Sequence, residues 1–119
     1  MAQHLFFAIA FSCLLTHEMD AIRLREWKIF PILTALPDEQ GYTVFTALHV
    51  PLYGLLLWAL LSPGASAPVN TGLDIFCIVH VGLHMIFRNH RHNQFQSWFS
   101  WALILGAGLA GAIDLLTTR

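Results

Sequence analysis

Four apolar stretches, parted by short polar segments, dominate this chain and leave it little choice of solvent. They run from Leu5 to Ile22, Val44 to Leu61, Leu73 to Phe87 and Phe95 to Leu116. A helix that crosses a bilayer needs about 20 mostly apolar residues, within a range of roughly 17–25. The second and fourth stretches meet that length directly. The third meets it once Thr71 or Gly72 at one end and Arg88 at the other sit in the interface. With 119 residues, 56% of them hydrophobic and 11% charged, and a mean hydropathy of +0.61, the chain reads as one all-α domain over residues 1–119. The expected architecture is an integral membrane bundle of four transmembrane helices. The same apolar bias excludes disorder and a coiled coil. A net charge of −1 leaves no basic surface for nucleic acid.

The first stretch is the informative one. Its uninterrupted apolar part, Leu5 to Leu15, is too short to cross alone, so crossing requires Thr16-His17-Glu18-Met19-Asp20 to lie within the membrane thickness. The alternative, a cleaved signal peptide, is disfavoured because Met1-Ala2-Gln3-His4 carries no Lys or Arg and no small-x-small site follows. Arg23, Arg25 and Lys28 follow the first span, Arg88 and Arg91 follow the third, and the linker from Ser62 to Thr71 is uncharged. The positive-inside rule then puts both basic loops in the cytoplasm and both termini outside. Trp27, Tyr42, Trp98 and Trp101 are expected at that cytoplasmic interface. Between Lys28 and Tyr42, Pro37-Asp38 reads as a stop and an acidic entry to the second helix, after a short interfacial or re-entrant piece. In the last span Gly106, Gly108, Ala110, Gly111 and Ala112 have the small-x-x-x-small spacing that lets helices approach. That run serves packing within the bundle or, through Gly106, Ala110 and Gly111, a homodimer.

The histidines converge in depth. At 1.5 Å per residue, His17 lies about 9 Å in from Arg23 and His49 about 10 Å in from Tyr42. His84 and His80 lie about 6 and 12 Å in from Arg88. Three helices therefore carry His17, His49, His80 and His84 in one layer. His80 and His84 are stacked at i and i+4, and His17 and Asp20 share a face at i and i+3. Imidazole and carboxylate at this spacing are the donors of zinc, iron, manganese and copper sites. The expected metal ligands are His17, Asp20, His49, His80 and His84, with Glu18, about 100° round from His17, as a further ligand or a general base. Glu18 and Asp20 also sit near a helix C-terminus, where carboxylates are disfavoured, so a cation should offset them. A bound metal would do so, and so would Arg23. The plainer readings are a solvated helix end for His17, Glu18 and Asp20, a hydrogen-bonded histidine beside the Pro51 kink for His49, and interhelical glue for His80 and His84.

Other groups point less sharply. Cys13 and Cys77 lie in apolar stretches without metal-ligand spacing and read as buried packing. His90 and His92 belong to the basic loop and fit headgroup contact. Asp74 and Asp114 sit near the outer helix ends, paired with each other or with His4, or facing water. Ser97 and Ser100 begin the fourth helix near the histidine layer and either bind a substrate or pack. Phosphate-cradling loops and nucleophile elbows are missing from the sequence.

The runs His17-Glu18-Met19-Asp20-Ala21, Glu26-Trp27, Leu36-Pro37-Asp38-Glu39, His49-Val50-Pro51-Leu52 and His80…His84…Phe87…His90 resemble a family of small bacterial four-span membrane proteins of unknown function with a His-Glu-x-Asp-Ala motif. The chain is more distantly similar to the HXXEE proteins, although Asp20-Ala21 stands where those have two acids. The resemblance covers nearly the whole chain. It implies a compact four-helix domain in a bacterial inner (cytoplasmic) membrane, no assigned reaction, and the polar cluster as the functional locus. In ligand type alone the set is similar to alkaline ceramidase-like membrane hydrolases, with no match of topology.

The leading expectation is an integral membrane metalloprotein with a divalent metal, zinc first and iron or manganese next, acting as a hydrolase on a lipid-like substrate with Glu18 as the base. A haem or non-haem iron redox protein, with His49 and His80 or His84 as axial ligands, is the second reading. A non-catalytic small subunit of a membrane complex is the third. A transporter is discouraged because the outer half has few polar groups beyond Asp74 and Asp114. Membrane lipids are the expected partners.

Overall fold

The computed structural model describes residues 4–118, and all regular structure among them is helical. Four helices run Leu5–Arg23 (α1), Asp38–Leu61 (α2), Ser66–Phe87 (α3) and Trp98–Thr117 (α4), each long and apolar enough to cross a membrane. Two short 3-10 turns, Glu26–Lys28 and Leu33–Ala35, occupy the connection between α1 and α2.

Three helix starts differ from the apolar stretches, because a helix ends where its backbone is stopped, not where its side chains turn polar. α2 begins at Asp38, directly after Pro37, with Asp38 and Glu39 in its first turn to complement the dipole. α3 begins at Ser66, inside the uncharged linker. Pro68 is tolerated there because the first four N–H groups of a helix have no intrahelical acceptor. α4 begins later than expected, at Trp98, where the Ser97 hydroxyl accepts from the Ser100 N–H at 3.1 Å. α2 continues through Pro51 as one helix.

The core is built by α4 lying against both α1 and α3. Toward the chain termini, Ala10, Leu14, Cys77, Ala107 and Ala110 pack together, with Cys13 beside them. Toward the basic loops, Ala21, Phe95 and Ile104 form a second cluster. The small residues of α4 set the spacing. A Cβ on Gly108 would stand 2.4 Å from Val81 Cγ2, and one on Gly111 would stand 3.0 Å from the Asp74 carbonyl oxygen. Asp74 and Asp114 do not face water: both are buried, and Asp114 accepts the Phe7 N–H at 3.0 Å.

α2 is different. It buries only Gly41 and Phe45, touches α3 lightly, and otherwise rests on the 3-10 turns. Trp27 is the reason it stays attached. Instead of joining an interfacial belt, its ring is buried against Tyr42 and Phe45, and its Nε1 donates to Asp38. Gly41 is needed beneath it, since a Cβ there would meet the ring at 2.7 Å.

Candidate metal centre

Three imidazoles meet where α1 and α3 approach their basic ends. The rings of His17, His80 and His84 are separated by 4.5–4.9 Å between centroids and stand at 73–88° to one another, so they form a three-bladed arrangement. Phe95 closes the group from below, 5.2 Å from His17 and 4.7 Å from His84. The fourth member is Glu26, whose carboxylate Oε1 lies 3.5 Å from His84 Nε2. One ligand atom from each of His17, Glu26, His80 and His84 falls within 4.8 Å of all the others.

The donor spacing suits a small divalent ion. With metal–ligand bonds of 2.0–2.1 Å, the edge of a tetrahedral site is about 3.3 Å. The His80 Nε2 to His84 Nε2 distance of 3.1 Å and the His84 to Glu26 distance of 3.5 Å bracket that edge. His17 is fully buried, yet neither of its ring nitrogens has a hydrogen-bond partner among the described residues, and His80 Nδ1 is in the same position. A buried polar atom left so costs about 1–3 kcal/mol. A neutral imidazole has one N–H and one lone-pair nitrogen, so an ion among these donors would satisfy the lone-pair nitrogen of His17.

Glu26 reaches the group through an unusual backbone. The chain reverses at Arg25, a non-glycine residue with φ 54° and ψ 49° in the left-handed region, a conformation that stores on the order of 1–3 kcal/mol. Asp38 holds the reversal in place by pairing with Arg25 at 3.3 Å and Lys28 at 3.2 Å. Burial, with the Glu18 carboxyl nearby, pushes the Glu26 carboxyl up to about 8.

Glu18 and His49 form a separate pair beside this group. Glu18 Oε2 lies 3.0 Å from His49 Nε2, and His49 Nδ1 donates to the Phe45 carbonyl at 2.7 Å. Since a carbonyl can only accept, Nδ1 carries a hydrogen. The Nε2···Oε2 contact therefore holds one further proton, on one atom or the other. A cavity of about 330 Å³ connects the pair with the metal group. Glu18, Glu26, His49, His80 and His84 supply its polar lining, and Phe30, Phe45, Phe76 and Phe87 much of the rest.

Of the histidines read from the sequence, His17, His80 and His84 come together, while His49 stands across the cavity, bonded to Glu18. Asp20 lies outside the group. It is one turn nearer the helix end, faces α4, accepts a hydrogen bond from the Ser100 hydroxyl, and has Arg23 Nε at 3.7 Å. Ser97 and Ser100 are thereby a cap and a packing partner. Glu26 is the member that sequence reasoning missed. It follows the span, belongs to no helical face, and enters only because the backbone turns back at Arg25.

The fold and the site together define a class: a four-helix protein with helices suited to a membrane and a buried His/Glu group able to hold a metal ion. Within that class the chain belongs to a family of unknown function, DUF6713, whose model matches residues 3–119. No curated protein and no solved structure matches it.

Proposed function

We propose that this protein is an integral membrane metalloprotein in which His17, Glu26, His80 and His84 hold a divalent ion, zinc by preference, and that it hydrolyses a lipid-like substrate. One observation carries the metal reading: His17 is fully buried with both ring nitrogens unpartnered, among three other donors. A zinc ion there would supply Lewis acidity and acidify a bound water to a pKa of about 7. Glu18 is the group suited to take the proton. It lines the cavity without belonging to the ligand set, and with the shared proton resting on His49 Nε2 its carboxylate would be free to accept another. Iron or manganese would suit the same donors. By the positive-inside rule the site lies on the cytoplasmic side with both termini outside, and the family resemblance points to a bacterial inner membrane.

The test is elemental mass spectrometry on detergent-purified protein carrying no histidine tag. About one zinc per chain is expected, lost in His84→Ala and retained in Glu18→Gln. A chain free of metal overturns the reading and turns attention to a structural role in a larger complex. Metal in the wild-type protein with equal ester or amide hydrolysis by wild-type and Glu18→Gln would remove the hydrolase part alone.

A further inference from the structure

The four candidate ligands belong to two different parts of the molecule. His17, His80 and His84 stand on α1 and α3, the helices against which α4 packs. Glu26 stands on the first 3-10 turn, which packs mainly with the second turn and with α2. Within that connection the backbone N–H groups of Lys28, Ile29, Phe30, Thr34 and Leu36 all donate to carbonyls of the same segment. Side chains join it to α2: Trp27 Nε1 donates to Asp38 at 3.2 Å, Lys28 Nζ lies 3.2 Å from the same carboxylate, and the Trp27 ring packs on Phe45. The turns and α2 thus make one body, and α1, α3 and α4 make another. The chain crosses between them at Arg25, in its left-handed conformation, and at the linker after Leu61. On the cavity side, two polar contacts bridge the bodies: His84 to Glu26 at 3.5 Å and Glu18 to His49 at 3.0 Å.

This division bears on the chemistry. Four protein ligands are the closed arrangement of structural zinc, whereas hydrolytic zinc keeps three and leaves one position for water or substrate. A hydrolytic centre built from these residues therefore needs one ligand that can leave. The three imidazoles share a body, so none of them can withdraw without unpacking α1 or α3 from α4. Glu26 can. Its body buries little against α3, and the pair that secures the turn at Arg25 is solvent-exposed, with the Arg25 and Asp38 side chains 53% and 43% accessible.

We infer that Glu26 is a displaceable ligand: the turns and α2 move as one body about Arg25, Glu26 withdraws, and three histidines keep the ion with one position open. This rests on the proposed metal site and supplies its regulation, with the four-ligand form as the resting state. The step exchanges one oxygen donor for another. Glu26 Oε1 leaves, a water oxygen enters, and nothing is oxidised or reduced. Glu18, on α1, stays with the histidines, while its partner His49 departs with α2. The same motion that opens the coordination position therefore frees the Glu18 carboxylate. Asp38 is a positioning residue, acting on Glu26 through Arg25, Trp27 and Lys28.

The experiment uses the full chain in detergent, loaded with cobalt(II), whose visible spectrum reports its ligands, and azide as the probe of the open position. Wild type should bind azide weakly, because only the open fraction is competent. With that fraction at about 0.1–10%, Glu26→Gln should tighten azide by about 10- to 1000-fold. Asp38→Asn leaves every ligand in place and removes the charge that holds the turns, so it should tighten azide about two- to fivefold. Glu39→Gln removes an equal charge from the same first turn of α2 and should change nothing. In Glu26→Gln/Asp38→Asn, azide should bind no more tightly than in Glu26→Gln alone, a result that a general loosening of the fold would not give. Equal azide affinity in wild type and Glu26→Gln overturns the inference, and so does loss of cobalt from Glu26→Gln. Asp38→Asn indistinguishable from Glu39→Gln overturns the role of Asp38. A wild-type chain that takes up no cobalt overturns the metal reading and this inference with it; cobalt without the azide response overturns this inference alone.

Discussion

α4 and α2 are of similar length, 20 and 24 residues, yet α4 buries seven of its residues and α2 two. The first is wedged between α1 and α3 through glycine and alanine; the second leans on a tryptophan and a pair of turns. The polar groups divide along the same line. His17, His80 and His84 sit on the tightly packed side, where Phe95 lies against the rings of His17 and His84. Glu18 faces the loosely held helix and takes its partner, His49, from it. For the proposed metal-assisted chemistry, the tightly packed side would hold the ligands in fixed positions, and the sparsely packed helix would be the wall able to part for a substrate.

The sharpest way to break this contrast is at the two kinds of histidine. His17→Ala should lower zinc affinity by at least about 100-fold, while His49→Ala should leave it within about threefold, as read by competition with a chromophoric chelator. Equal losses would show that α2 is part of the metal group. Next in size are the glycines. Gly108→Ala should destabilise the protein by about 1–3 kcal/mol, because the new methyl meets Val81. Gly54→Ala on α2 has open space and should stabilise by about 0.5–1 kcal/mol. Denaturant unfolding in detergent should thus give opposite signs for the same chemical change, and equal signs would mean that α2 is packed as tightly as α4.

A smaller effect follows from Glu26. Its carboxyl is raised to about 8 by burial and Glu18, so the folded, metal-free protein holds that proton more tightly than the unfolded chain. Stability should therefore fall as pH rises from about 4.5 to about 8, and level off above that. Glu26→Gln should flatten this slope, and thermal unfolding across that interval would read it. A slope unchanged by Glu26→Gln would place the sensitive group elsewhere.

Much of this was legible in the sequence because two periodicities carried it. Apolar length marked four helices, and residue rise marked a common depth for His17, His49, His80 and His84. What depth does not specify is direction around the helix axis relative to a neighbour. Asp20 and His17 share a face, yet the small residues of α4 bring Ser100 close enough to take Asp20 out of the group. His49 has the right depth but belongs to a helix that stands apart, so it reaches Glu18 and not His80. The start of α2 at Asp38 was legible because Pro37 and two acids mark it, whereas the start of α3 at Ser66 was missed because uncharged polar residues continue that helix past its apolar part. Glu26 was hidden for another reason. A left-handed arginine leaves no mark in composition or periodicity, and without that reversal the carboxylate would point away.

The separation of the ligands along the chain bears on how the protein is made. His17 emerges from the ribosome 63 residues before His80 and 67 before His84. During that interval the first two spans exist with His17 and Glu18 but without the imidazoles that complete the group. A metal ion captured early would have at most His17 and Glu26 to hold it, too few for tight retention. If the proposed site takes up an ion, loading would be a late event in biogenesis. It would follow the third helix, and the ion would act as a lock on an assembled bundle and not as a template for its first hairpin.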